Sequence, residues 1–122
     1  MSLLGYLRRW RAPAETPDEL LNSALDLALD FGNWLSPIQT RLRARHPTLD
    51  ARQLDGLDET CQAAILYGQQ TALSLSATLE PAQVEGRFNA LFAERYPWAS
   101  QENRARAWRH CIYYATKTAR VR

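Results

Sequence analysis

Between Asp58 and Leu79, apolar or small residues recur at Cys61, Ala64, Ile65, Gly68, Ala72, Leu75 and Leu79. Steps of three and four put these positions on one side of a helix. Leu66, Tyr67, Leu73 and Ala77 form a second flank. A helix apolar on two flanks is expected to be buried, so this stretch is the predicted centre of the fold, roughly 33 Å long. Cys61, Ala64, Gly68 and Ala72 are small, and a second helix can approach closely along them. Gln62, Gln69 and Gln70 interrupt the apolar pattern. No run of about 20 apolar residues occurs, so no membrane span is expected.

The flanking segments carry start and stop signals. Thr16-Pro17-Asp18-Glu19 opens a helix predicted over 17–31, with Thr16 as cap, Pro17 in the first turn and Glu19 closing a capping box. Leu20, Ala24, Leu27 and Phe31 line one flank of it, and Leu21, Leu25 and Ala28 a second. Glu19, Asn22, Ser23, Asp26 and Asp30 read as its solvated stripe. Gly32-Asn33 stops it. Ser36-Pro37 opens a shorter helix over 37–45 that buries Ile38 and Leu42. His46-Pro47 ends it, because a residue before proline resists the helical region. Asp50 with Gln53 can start the next segment, and Gly56 leaves open whether 51–57 joins the central helix. Pro81 begins a helix over 81–95 with Val84, Phe88, Leu91 and Phe92 inside. Ser100 caps a last helix over 101–118, whose expected core stripe is Ala105, Trp108, Ile112, Ala115 and Ala119.

Residues 3–11 form a short amphipathic element, with Leu3, Leu7 and Trp10 beside Arg8, Arg9 and Arg11. Ala12 to Glu15 is a linker. No segment alternates as a strand does, and no internal repeat of fixed period stands out. The prediction is one all-α domain over 1–122: about five helices around a central buried one, plus the N-terminal amphipathic helix. At 122 residues the chain is long enough for a self-sufficient core.

Charge changes this picture in its distribution more than in its total. The net charge is +2. Residues 95–122 hold seven basic side chains against one acidic, and residues 46–94 hold two against seven. The simplest consequence is attraction between an acidic middle and a basic tail; a functional basic patch is the alternative. The first apolar cluster is too short for a signal-peptide core, its arginines follow it, and Ser2 excludes the myristoylation pattern. A cytoplasmic location is expected, with Cys61 and Cys111 as buried reduced thiols.

Local chemistry is sparse. Neither His46 nor His110 follows a Glu by three residues, as a di-iron bundle requires. Asp55, Asp58 and Glu59 cluster at the predicted start of the central helix, and match the positive end of its dipole. His110 and Cys111 are helical neighbours pointing about 100° apart, so they do not face each other. No phosphate-binding glycine pattern and no nucleophile elbow is present. No catalytic residue, metal or cofactor is expected.

The surface is more informative. Arg106, Arg109, Tyr113, Lys117 and Arg120 fall on one stripe of the last helix. Trp98 sits in Tyr96-Pro97-Trp98, a turn that either wedges into the core or presents an anchor. These six are the candidate partner-binding residues. They point to a non-enzymatic protein-interaction module of the adaptor, inhibitor or immunity type, with an unidentified protein partner. A nucleic-acid-associated protein using the Arg-rich last helix is the alternative. An enzyme or small-ligand binder with a pocket between helices is a further one. Self-association is open, since a second copy can complete an apolar flank.

Overall fold

In a computed structural model of the protein, the Asp50 side chain accepts from the Gln53 amide at 2.8 Å and the Gln53 side chain accepts from the Asp50 amide at 2.9 Å. This capping box starts a helix of 28 residues that runs through Gly56 without a break. The structure describes residues 15–30 and 37–121, with side chains to residue 119. Among them are five helices and no strand: α1 (Pro17–Ala28), α2 (Ile38–Arg45), α3 (Ala51–Thr78), α4 (Pro81–Arg95) and α5 (Gln101–Val121). The all-α bundle around a central helix is thus the observed architecture. The amphipathic element at 3–11, Phe31, the stop at Gly32-Asn33 and the Ser36 cap lie outside the described residues.

α3 touches all four other helices, and α5 most extensively. The reason is the small-residue seam. Cys61, Ala64, Gly68 and Ala72 are buried, and α5 meets them with Ala107, Cys111 and Ala115, also buried. A Cβ placed on Gly68 would stand 2.6 Å from Cys111 Sγ. Ala115 is buried as expected, but the rest of the buried stripe of α5 lies about one residue, roughly 100°, around the helix from the expected one. Ala105 and Ala119 are exposed, and Trp108 and Ile112 are half-buried. The larger side chains pack sideways, Trp108 against Phe88 with ring centroids 5.2 Å apart. The narrow seam admits small residues only.

The second flank of α3 is only partly covered. Tyr67 and Leu73 pack against the core, whereas Ala77 is exposed and Leu66 is 53% exposed.

Two connections are built alike, although no repeat was read from the sequence. α2 leaves through Arg45-His46-Pro47-Thr48-Leu49-Asp50, and α4 through Arg95-Tyr96-Pro97-Trp98-Ala99-Ser100. His46 and Tyr96 have nearly the same backbone angles, φ −132°, ψ 75° and φ −127°, ψ 69°. The Leu49 amide donates to His46 O at 3.1 Å and the Ala99 amide to Tyr96 O at 3.0 Å. Each turn buries its apolar residue, Leu49 or Ala99, and then supplies the N-cap, Asp50 or Ser100.

Candidate interaction surface

The polar face of α1 is not a solvated stripe. Asn22 donates to Trp98 O at 2.7 Å, and its Oδ1 accepts from the Ser100 amide at 2.8 Å. The amide of Asn103, which is 5% exposed, donates to Asn22 O at 2.9 Å and to Asn22 Oδ1 at 3.0 Å. Ser23 Oγ meets His46 Nε2 at 2.8 Å. Asp26 accepts from Arg45 at 2.9 Å and also from Arg106. These contacts pin α1 to α2 and to the start of α5. An open groove of about 380 Å³ runs over this seam, and most of its polar lining is committed to holding the helices together.

Asp55, Asp58 and Glu59 are not at a helix start either. α3 begins at Ala51, with no acid in its first turn, and dipole effects fade beyond that turn. Gln39 donates to Asp55 at 3.4 Å and to Asp58 at 3.2 Å, tying α2 to α3. Cys61 and Cys111 are free, buried thiols. Their sulfurs point at different carbonyls, Leu21 O at 4.0 Å and Ile65 O at 3.9 Å. Burial pushes both thiols up to about 12, and Asp58 adds to the effect at Cys61.

The six candidate partner-binding residues separate. Trp98 is half-buried; its ring meets Tyr96 edge-on at 5.9 Å, and Tyr96 in turn packs on Phe92 and Tyr67 at 5.2 and 5.6 Å. This is the wedge geometry. Arg106 is bound to Asp26, with 24% of its side chain exposed. Arg109, Tyr113 and Lys117 are exposed on α5. The side chain of Arg120 lies outside the described residues.

What gathers around Arg109, Tyr113 and Lys117 is an outer valley between α3 and α5. Its floor is the Gln69 amide donating to His110 Nε2 at 3.1 Å. Burial lowers the His110 pKa. Residues three and four apart share a helix face. Leu66 and Leu73 therefore flank Gln69 on α3, and Tyr113 and Tyr114 flank His110 on α5. Leu66 is 53%, Tyr113 59% and Tyr114 39% exposed. Leu66 and Tyr114 were absent from the candidate set. The signal for Leu66 was its company: Glu59, Gln62, Ala63 and Gln70 share its side of α3, and all are exposed.

No family model, curated protein or solved structure matches the chain significantly. Among the described residues, no helix is long and apolar enough to cross a membrane.

Proposed function

We propose that this chain is a non-enzymatic protein-interaction module that docks a protein partner on the α3/α5 valley. One observation carries the reading. Leu66, Tyr113 and Tyr114, the large hydrophobic residues exposed among those described, border one valley, with Arg109 and Lys117 beside them. Clustered exposed apolar surface marks interaction sites, and tyrosine and arginine are favoured at protein interfaces. Free thiols suit a reducing compartment, which supports the cytoplasm as the place of action.

The test compares wild type with Leu66→Glu and Tyr113→Ala as immobilised baits in native lysate. The expected result is a defined partner that wild type retains and both variants lose, at unchanged circular dichroism and melting temperature. Retention of the same partner by both variants would reject the valley as the site. Salt-sensitive retention on DNA that depends on Arg109 and Lys117 would favour the nucleic-acid alternative.

A further inference from the structure

We infer that Ser23, His46 and Glu15 form a nucleophile–base–carboxylate triad that makes Ser23 an acyl-accepting serine, open to short-chain esters. This goes beyond the docking reading and does not rest on it, since the site lies between α1 and α2. Three contacts carry it. Ser23 Oγ stands 2.8 Å from His46 Nε2, and His46 Nδ1 stands 2.9 Å from Glu15 Oε1. Arg45 Nη1 stands 3.4 Å from Ser23 Oγ. Nucleophile to base and base to carboxylate, through the two different ring nitrogens, is the arrangement that activates a serine. The antiparallel run of α1 and α2 produces it: Arg41 reaches Leu27 O, Arg45 reaches Asp26, and His46 reaches Ser23. His46 ends α2 with φ −132°, ψ 75°, outside the helical region that a residue before proline resists. Its side chain is only 11% exposed, so the ring is held in place.

A carboxylate only accepts, so Nδ1 carries a hydrogen towards Glu15, and the neutral ring leaves Nε2 to accept from the Ser23 hydroxyl. Ser23 Oγ in turn accepts from Arg45. One arrangement of protons satisfies all three contacts. A serine inside a helix has its own amide in an i→i−4 bond, so the donor beside Oγ for a developing oxyanion is the Arg45 guanidinium. An open groove of about 380 Å³ gives access, with Ser23, Arg45 and Asn103 in its wall. Glu19 and Glu102 also line it, exposed and outside the described ion pairs. The groove therefore favours an ester whose alcohol part is cationic. In the step, Oγ bonds to the acyl carbon as its proton passes to Nε2, and the oxyanion forms beside Arg45. Its collapse breaks the bond to the alcohol, which leaves with the proton from Nε2. The products are O-acyl-Ser23 and the free alcohol. Glu15 is a positioning residue: it orients the ring and stabilises the imidazolium. The buried Cys61 and Cys111 thiols, pushed up to about 12, do not compete as nucleophiles.

The experiment treats the full chain with a fluorophosphonate probe and with p-nitrophenyl acetate, followed by intact mass and peptide mapping. Wild type is expected to take one phosphonate or one acetyl group, at Ser23. Ser23→Ala, which suits a helix, should lose that label while remaining folded by circular dichroism. His46→Gln should slow labelling of Ser23 roughly 100-fold or more, the range of a general base. Glu15→Gln should slow acetylation too and move the midpoint of its pH profile down, because His46 loses the negative partner that favours its charged form. A midpoint left in place would remove Glu15 from the triad. Acetylthiocholine, a cationic ester, should acylate wild type faster than the Glu19→Gln/Glu102→Gln double variant, whereas p-nitrophenyl acetate should not distinguish them. Equal rates with acetylthiocholine overturn the cationic preference. No label on Ser23, or equal labelling of Ser23 in wild type and His46→Gln, overturns the site. Nitrophenolate release that continues past one equivalent per chain, and is lost in Ser23→Ala, supports the site and makes the chain an enzyme in addition to a docking module.

Discussion

Gly56 and Gly68 lie on the same helix and have opposite roles. Nothing stands within 4 Å of a Cβ at Gly56, whereas one at Gly68 meets Cys111 Sγ at 2.6 Å and Phe88 at 3.4 Å. Cys111 and Phe88 are fully buried and have little room to retreat. Gly68→Ala should therefore cost about 1–3 kcal/mol, as overpacking does. Gly56→Ala should gain about 0.4–1 kcal/mol by restricting the unfolded chain. Urea denaturation of the two variants decides both signs. The seam around Gly68 was legible because small residues recur at helical spacing. The open space at Gly56 was not, since a sequence does not say which glycine has a neighbour. His110 adds a pH dependence. Its folded pKa lies below the ordinary 6.5 because burial penalises the charged ring. The unfolded chain then binds the proton more readily, so stability is full above pH 6.5 and declines as pH falls below it. His110→Asn should flatten the decline between pH 7 and 5 in denaturation midpoints.

Helix existence and order were readable from caps and periodicity, because those signals are local. Asp50 with Gln53, Ser100 and Thr16 all cap as their spacing suggests. The facing of α5 was not readable. Its largest apolar residues, Trp108 and Ile112, suggested one stripe, yet of that stripe only Ala115 is buried, and the seam on α3 selects Ala107 and Cys111 beside it. Which stripe wins depends on the partner helix, and the sequence of one helix does not contain that. The polar stripe of α1 was misread for the same reason: Asn22 and Asn103 are far apart in sequence and bond only in the fold. Asn22→Ala tests their role as the pin between α1 and the start of α5. It leaves the Asn103 amide and Trp98 O short of partners in a part-buried site, at an expected cost of about 2–3 kcal/mol. Thermal unfolding should show it, with α-helical content of the folded state unchanged.

Across the whole molecule, charge is arranged differently from its distribution along the chain. The acidic middle was expected to hold the basic tail. Instead, the described ion pairs all run to acids of α1 or just beyond it, Arg45 and Arg106 to Asp26 and Arg41 to Asp30, and His46 Nδ1 lies 2.9 Å from Glu15. No acid of residues 46–94 is in a described ion pair. The basic stripe of α5 is thereby divided by function. Arg106 holds the bundle together, while Arg109, one turn on, is exposed and outside these pairs. Arg106→Glu should then be costly in a way Arg109→Glu is not. It removes one of the two cations on Asp26 and sets a second carboxylate against it, at an expected loss of about 1–2 kcal/mol. Arg109→Glu should stay within about 0.5 kcal/mol of wild type, as surface substitutions do. The difference between them should shrink in high salt, because Asp26 is 41% exposed and screening reaches it. Guanidinium, being a salt, would mask this, so the comparison belongs in urea at two ionic strengths. Equal losses for the two variants would mean that Asp26 does not hold α1, α2 and α5 together in solution.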